Sequence, residues 1–293
     1  MKGVILGGGT AVPVDARDEQ APVAVYDKPM LYYPLQTLVD AGIQDILIVI
    51  GGNNAGDFLR LLRNGKDFGL NQLSFAYQEG EGGIADALRL AEPFAAGEKI
   101  CVILGDNILE NSIQASKERF ERQEEGALVL LKKVPDAERF GVPVFEGKRI
   151  VKIEEKPVLP GSPYAVIGVY FYDATVFNRV RKLRPSGRGE LEITDVNNSC
   201  LREGNLEYEI IEGGWTDAGT FESLWRATKM MREKALLAEE IALASATSSK
   251  KHRIPLPSSE HGHADEVVAT GDGSEKSRYL VSEIERDVDT YCV

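Results

Sequence analysis

The first residues able to do chemistry stand at positions 7–10. Val4, Ile5 and Leu6 form a short apolar run suited to a buried strand, and Gly7, Gly8, Gly9 and Thr10 follow at once. Without a Cβ in the way, the glycines let the backbone turn sharply and bring its N–H groups close to an anion such as a phosphate. A plain turn uses the same residues, and the run fits neither G-x-G-x-x-G nor G-x-x-x-x-G-K-[ST]. Two further polar clusters close apolar runs. LSFAYQ ends on Gln78 and leads into EGEGG, with Gly83 its last residue; ICVIL leads into Gly105, Asp106 and Asn107.

Charge narrows the ligand class. The chain has 293 residues and a net charge of −12, the balance of 46 acidic and 34 basic residues, so nucleic acid is not an expected partner. A protein this acidic that handles anionic nucleotides needs local screening from glycine amides, a few Lys or Arg, and a divalent metal. The one dense basic run, Lys250, Lys251, His252 and Arg253, is short. Cys101, Cys200 and Cys292 are far apart and form no C-x-x-C, which suits reduced thiols in a cytoplasmic protein. No apolar run reaches the roughly 20 residues of a membrane span, and no signal peptide is expected. His261 and His263 lie in a polar stretch and read as solvent-exposed.

The elements that must position these residues alternate. Apolar strands are expected at the N-terminus, at DILIVIGG, at LSFAYQ and at ICVILGDN. Helices are expected after Pro34, over residues 55–64, and through IADALRLAEPF. Gly42 reads as a helix stop, and Tyr32, Tyr33 and Leu35 as helix packing. This order predicts a Rossmann-like, mixed but mostly parallel sheet flanked by helices, in which ligands bind beyond the carboxyl ends of the strands. The three clusters all fall at such ends. From about residue 140 the pattern shifts to shorter strands, with FEGKR as a hairpin turn. Helices are expected at 113–126, 174–183, 191–201 and from 221 to about 246. Residues 246–293 are rich in Ser, Gly, Pro and charge and read as a largely disordered tail with a short terminal helix in YLVSEIERDV, beyond a domain of residues 1–245.

Several long stretches, in order, resemble the sugar-nucleotide pyrophosphorylases, most closely those that transfer a thymidylyl group. They are MKGVIL-GGGT, VYDKPMLYYPLQTLVDAGI, ILGDN, ERFGV, IEEKP, GVYFYD, GELEITDVNN and GGWTDAGT. The resemblance spans roughly residues 1–235. It implies a nucleotide-diphospho-sugar transferase core with a smaller inserted sugar-binding β region. It also implies a reaction in which dTTP and glucose 1-phosphate give dTDP-glucose and pyrophosphate, and a dimeric or tetrameric homo-oligomer. By the same resemblance Asp106 and Asp217 are the catalytic, magnesium-binding pair. Gly7, Gly8, Gly9 and Thr10, with Gln78, Gly83 and Asp106, hold the nucleotide. Gly141, Glu155, Lys156 and Gly168 hold the sugar phosphate. Trp215 packs by the metal loop or in the core.

The chain departs from the family in its opening loop. The family continues its glycines as G-[ST]-R-L-x-P with a Lys soon after, whereas this chain reads GGGTAVPVDARDEQAPVAVYDKPM. Gln20 falls near the Lys position between acidic neighbours, and Arg17 is the one local cation. Losing a transition-state arginine costs on the order of 10³ in rate. A non-catalytic relative that binds nucleotide or sugar nucleotide is therefore the alternative. Asp86 is a second departure, standing where the family commonly has Gln.

Overall fold

The computed structural model describes residues 1–7, 23–52 and 55–251. Gly8, Gly9, Thr10, Arg17 and Gln20 lie outside the described residues, as do His261, His263, Cys292 and most of the polar tail with its expected terminal helix. The chain divides into two compact units, Met1–Leu243 and Ala244–Val293. No helix among the described residues is long and apolar enough to cross a membrane.

In chain order the elements are β1 (Lys2–Gly7), β2 (Ala24–Val25), β3 (Lys28–Pro29), α1 (Tyr32–Asp40), β4 (Asp45–Gly51), α2 (Ala55–Leu62), β5 (Gln72–Gln78), α3 (Ile84–Arg89), α4 (Glu92–Ala95), β6 (Ile100–Leu104), β7 (Asn107–Leu109) and α5 (Gln114–Arg122). They continue with β8 (Ala127–Lys133), β9 (Gly141–Glu146), β10 (Arg149–Glu155), β11 (Tyr164–Tyr172), α6 (Val176–Val180), α7 (Ile193–Arg202), β12 (Leu206–Ile210), β13 (Trp215–Asp217) and α8 (Phe221–Lys251).

Nine strands make one mixed sheet, in the order β10-β9-β11-β6-β1-β4-β5, with β8 on the other edge of β11 and β12 beside β8. Strands β1, β4, β5 and β6 are mutually parallel, with Val4 opposite Leu47 and Val102. Only β10 and β11 run against the rest, so the sheet is mostly parallel, as expected. Alternation along each strand feeds two cores. Val4, Leu6 and Val102 pack under α3, α6 and α7 with Leu88, Phe177 and Val196. Ile5, Ile48 and Ile103 pack under α1, α2 and α5 with Leu35, Phe58 and Phe120. Such two-sided burial is what continuous apolar strands require.

Two local differences from the sequence reading have physical causes. The helix expected through IADALRLAEPF is two helices, because Pro93 at the start of α4 has no N–H to continue the ladder. The inserted β region is not a separate sheet: the β9–β10 hairpin, turning at Gly147 and Lys148, joins the main sheet where Gly141 meets Val166 of β11. One edge of β11 thus pairs with β6 over residues 169–172 and with β9 at Val166. The gap between those partners opens beside the carboxyl end of β6.

Candidate active site

Two strand ends bring Asp106 and Asp217 together. Asp106 sits in the turn after β6, and Gly105 N–H of that turn donates to Leu6 O of β1 (2.9 Å). The chain then forms β7, which pairs antiparallel with β13 so that Asn107 stands opposite Asp217. Ala218 N–H donates to Asp106 O (2.8 Å) and closes the ladder. The Oδ2 atoms of both aspartates lie within reach of one point: a Cβ placed on Gly219 would stand 3.3 Å from Asp106 Oδ2 and 3.9 Å from Asp217 Oδ2. A residue 111 positions away in sequence would not face Asp106 without this backbone pairing; the periodicity of either stretch says nothing about it.

Asn107 is the hub of this end. It is buried, and its Nδ2 donates to Asp106 Oδ1 (2.9 Å). Its Oδ1 accepts from Gly168 N–H (2.9 Å) and from Trp215 Nε1 (2.8 Å). Gly168 therefore acts through Asn107 rather than from the cavity wall. A Cβ there would stand 2.6 Å from Asn107 Nδ2, so only glycine leaves room for the amide. Asp106 keeps an accessible edge, yet the protein around it desolvates the carboxyl and pushes its pKa up to about 6, with the nearby charge of Asp217 adding to the rise. Arg139 Nη2 donates to Asp217 Oδ2 (2.6 Å), its Nη1 donates to Asp136 Oδ2 (3.0 Å), and its guanidinium lies over the Phe140 ring.

These groups line a cavity of about 370 Å³, which also takes in Gln78, Gly83, Gly141, Glu155, Lys156, Arg188, Glu192, Thr194 and Trp215. At its far end Glu155 Oε2 accepts from Thr194 Oγ1 (2.5 Å), and Glu155 Oε1 faces Arg188 Nη2 (3.4 Å). Arg188 also donates to Glu192 (2.8 Å), and its carboxylate neighbours raise its pKa further, so it is held fully charged. Lys156 is exposed and left-handed (φ 44°), its N–H donating to Phe140 O (3.0 Å). A non-glycine residue held there carries backbone strain of the kind found at ligand sites.

Near the end of β5, buried Gln78 donates its amide to Gly83 O (3.2 Å) and Asp86 Oδ2 (3.0 Å). Asp86 is paired in turn with Arg89 Nη2 (2.7 Å), so the departure at position 86 brings no free negative charge. Gly83 has φ 93°, and a Cβ on it would stand 2.7 Å from Leu191 O. Leu191 N–H donates to Gly82 O (2.8 Å) and Ala85 N–H to Leu191 O (3.0 Å), which ties the glycine bend to the segment leading into α7.

The cavity thus gathers Gln78, Gly83, Asp106, Gly141, Glu155, Lys156 and Asp217 from five stretches of sequence, with Gly7 just behind Gly105. Sequence reading assigned no role to Asn107, Arg139, Arg188, Glu192 or Thr194. Each lies inside a stretch that carried the resemblance or next to one: ILGDN, ERFGV, GELEITDVNN. The signal was there, but the spacing of the chain gives no partner for any of them.

Two carboxylates at the strand ends of a doubly covered, mostly parallel sheet form a site suited to nucleotidyl transfer. The comparisons agree: the model of the nucleotidyl transferase family matches residues 2–234, and the chain belongs to that family. It is 44% identical over 238 residues to a glucose-1-phosphate thymidylyltransferase of Actinoplanes sp., covering 79% of this chain and 78% of that one. It is 42% identical to the enzyme of the same name from Neisseria meningitidis, covering 79% and 83%. A solved structure of a Bacillus anthracis protein assigned as a glucose-1-phosphate thymidylyltransferase, in complex with a sucrose, superposes with a TM-score of 0.74 at 44% identity, covering 79% of this chain and 95% of that one. A UDP-glucose pyrophosphorylase at 19% identity shares the fold, with a TM-score of 0.67.

Proposed function

We propose that this protein condenses dTTP with glucose 1-phosphate to give dTDP-glucose and pyrophosphate. The observation that carries the reading is the facing pair Asp106 and Asp217 at one end of the same cavity that holds Glu155, Lys156 and Arg188 at the other. The relatives that share this core at about 40% identity carry the name of that enzyme.

The sugar phosphate oxygen attacks the α-phosphorus of the nucleotide, one P–O bond forms, and the bond to pyrophosphate breaks in line. The nucleophile is already anionic, so no general base is needed; alignment and charge neutralisation are. Gln78 and Gly83 hold the base, with the Gln78 amide nitrogen committed to Asp86 and Gly83 and its oxygen left for a ring N–H. Lys156 and Arg188 meet the sugar phosphate, and Glu155 and the Gly141 backbone take sugar hydroxyls. Gly7, at the carboxyl end of β1, lies against the nucleotide phosphates.

A divalent cation, Mg²⁺, fits the aspartate pair. Among the described residues no three His, Cys, Asp or Glu side chains gather as a closed metal cage. Two carboxylates with the remaining positions open to water and phosphate is how Mg²⁺ is held at phosphoryl-transfer sites. Bound there it would neutralise charge on the triphosphate and the leaving pyrophosphate. Asp106 and Asp217 would hold it, with Asn107 keeping Asp106 in place.

The test is pyrophosphate release by the purified protein with Mg²⁺, dTTP and glucose 1-phosphate. Release that requires all three supports the reading. No release across a panel of nucleoside triphosphates and sugar phosphates would overturn it and favour a binding protein.

A further inference from the structure

The Asp217 oxygen nearest the point shared with Asp106 already has a cationic partner. Asp217 Oδ2, which faces Asp106 across Gly219, is the atom that accepts the 2.6 Å hydrogen bond from Arg139 Nη2. Arg139 has two other anchors. Its Nη1 donates to Asp136 Oδ2, which also faces Arg226 at 3.5 Å, and its guanidinium lies over Phe140, whose ring meets the Trp215 ring edge-on at 5.3 Å. Arg139 is about a third exposed and lines the cavity. A unit positive charge on a carboxylate oxygen disfavours a second cation on that oxygen, and the effect is large at a partly desolvated site.

We propose that Arg139 is a stand-in cation. It neutralises Asp217 while the divalent ion is absent, competes with the ion for that carboxylate, and on displacement swings on its Asp136 and Phe140 anchors to meet the phosphates in the cavity. It would then supply a guanidinium to the phosphates at the aspartate end of the cavity. The inference rests on the reading that Asp106 and Asp217 hold the metal, and the experiment separates the two.

Mn²⁺ affinity is measured by the loss of the free-ion electron paramagnetic resonance signal, without substrates. Asp217→Asn should abolish tight Mn²⁺ binding; retained binding would bring down the metal-site reading itself. Arg139→Gln should bind Mn²⁺ roughly tenfold more tightly, because the competing charge is gone. Unchanged or weaker binding, with Asp217→Asn behaving as expected, would overturn the stand-in role alone and make Arg139 an organiser of Asp217. Arg139→Lys keeps a charge but loses the fork that reaches both Asp136 and Asp217, so it should tighten Mn²⁺ binding by less than Arg139→Gln does; tightening beyond that of the glutamine variant would overturn the proposal. With Mg²⁺ saturating, inorganic pyrophosphate should bind Arg139→Gln about tenfold more weakly, the worth of one charge-assisted hydrogen bond; equal binding would contradict the displacement step. A readout on the unmodified protein does not depend on any variant folding. The Arg139 side-chain ¹⁵N resonance should be restrained without metal and shift on Mg²⁺ saturation, and a resonance that ignores Mg²⁺ would overturn the proposal.

Discussion

The two ends of the cavity solve charge in opposite ways. At the strand ends two aspartates face each other, one arginine covers one of them, and the Asp106 carboxyl is pushed up to about 6. At the far end a single Arg188 is crowded by Glu155, Glu190 and Glu192 and stays fully charged. At the first end Asp106 has no ion-pair partner among the described residues, whereas at the second all three glutamates pair with Arg188. The supports differ too. Asp106 and Asp217 are placed by backbone pairing of β7 with β13; Glu155 is placed by pairing of β10 with β9, opposite Gly141, and its carboxylate is then tied by the side chains of Thr194 and Arg188. A carboxylate without a cation, on a rigid frame, is suited to bind one from solution; carboxylates already held by an arginine are suited to recognise hydroxyls, with the exposed Lys156 beside them for a phosphate.

If that contrast is right, substitutions at the two ends should fail differently. Asp217→Asn should lower kcat by about 10³ or more, since the charge-neutralising ion is lost from the transition state, while the melting temperature changes little because backbone pairing holds the frame. Steady-state kinetics and a thermal melt check this; a mild loss of rate would place the cation elsewhere. Glu155→Gln should act mainly on the sugar phosphate, raising its KM by roughly tenfold or more through lost charged hydrogen bonds. The Mn²⁺ affinity of that variant should be unchanged. A kcat loss as deep as that of Asp217→Asn would erase the distinction between the ends.

A smaller effect concerns pH. The folded-state pKa of Asp106 lies above the usual carboxylate value, so the native state holds this proton more tightly than the unfolded chain does. This group therefore favours the native state most below its unfolded pKa. That contribution is lost as pH rises from about 4 through about 6. A cation on the ionised pair returns it, and protons compete with the cation below pH 6. Saturating Mg²⁺ should thus raise the melting temperature by a few degrees more at pH 7.5 than at pH 5, the scale of one to two kcal/mol in a domain of this size, roughly. An equal shift at both pH values would mean that Asp106 is not a ligand.

The fold was legible because its strands are apolar runs with glycines at their ends. VIL, ILIVI and CVIL can be buried only in a parallel sheet covered on both faces, and that is where they lie. Periodicity was less informative where one residue overrides it, as Pro93 does in splitting the helix after Gly83. Strand-end glycine and polar clusters located one side of the site, with Gln78, Gly83 and Asp106; the rest was legible only through the resemblance of whole stretches. The partners that make each residue work, Asn107 for Asp106 and Thr194 for Glu155, are 39 or more positions apart or hidden in an adjacent side chain's direction. Spacing along the chain cannot report a hydrogen bond closed by the pairing of β7 with β13. Asp86 shows the converse: read alone it adds charge beside the nucleotide, but in place it is neutralised by Arg89 and orients Gln78.

The most direct test of the shared-cation site is a double-mutant cycle on Asp106→Asn and Asp217→Asn, read as kcat at saturating Mg²⁺ and substrates. If both carboxylates serve one ion, either single variant loses the ion's contribution and the double variant is no slower than the worse single one. Losses that multiply in the double variant would show two independent roles and contradict the account.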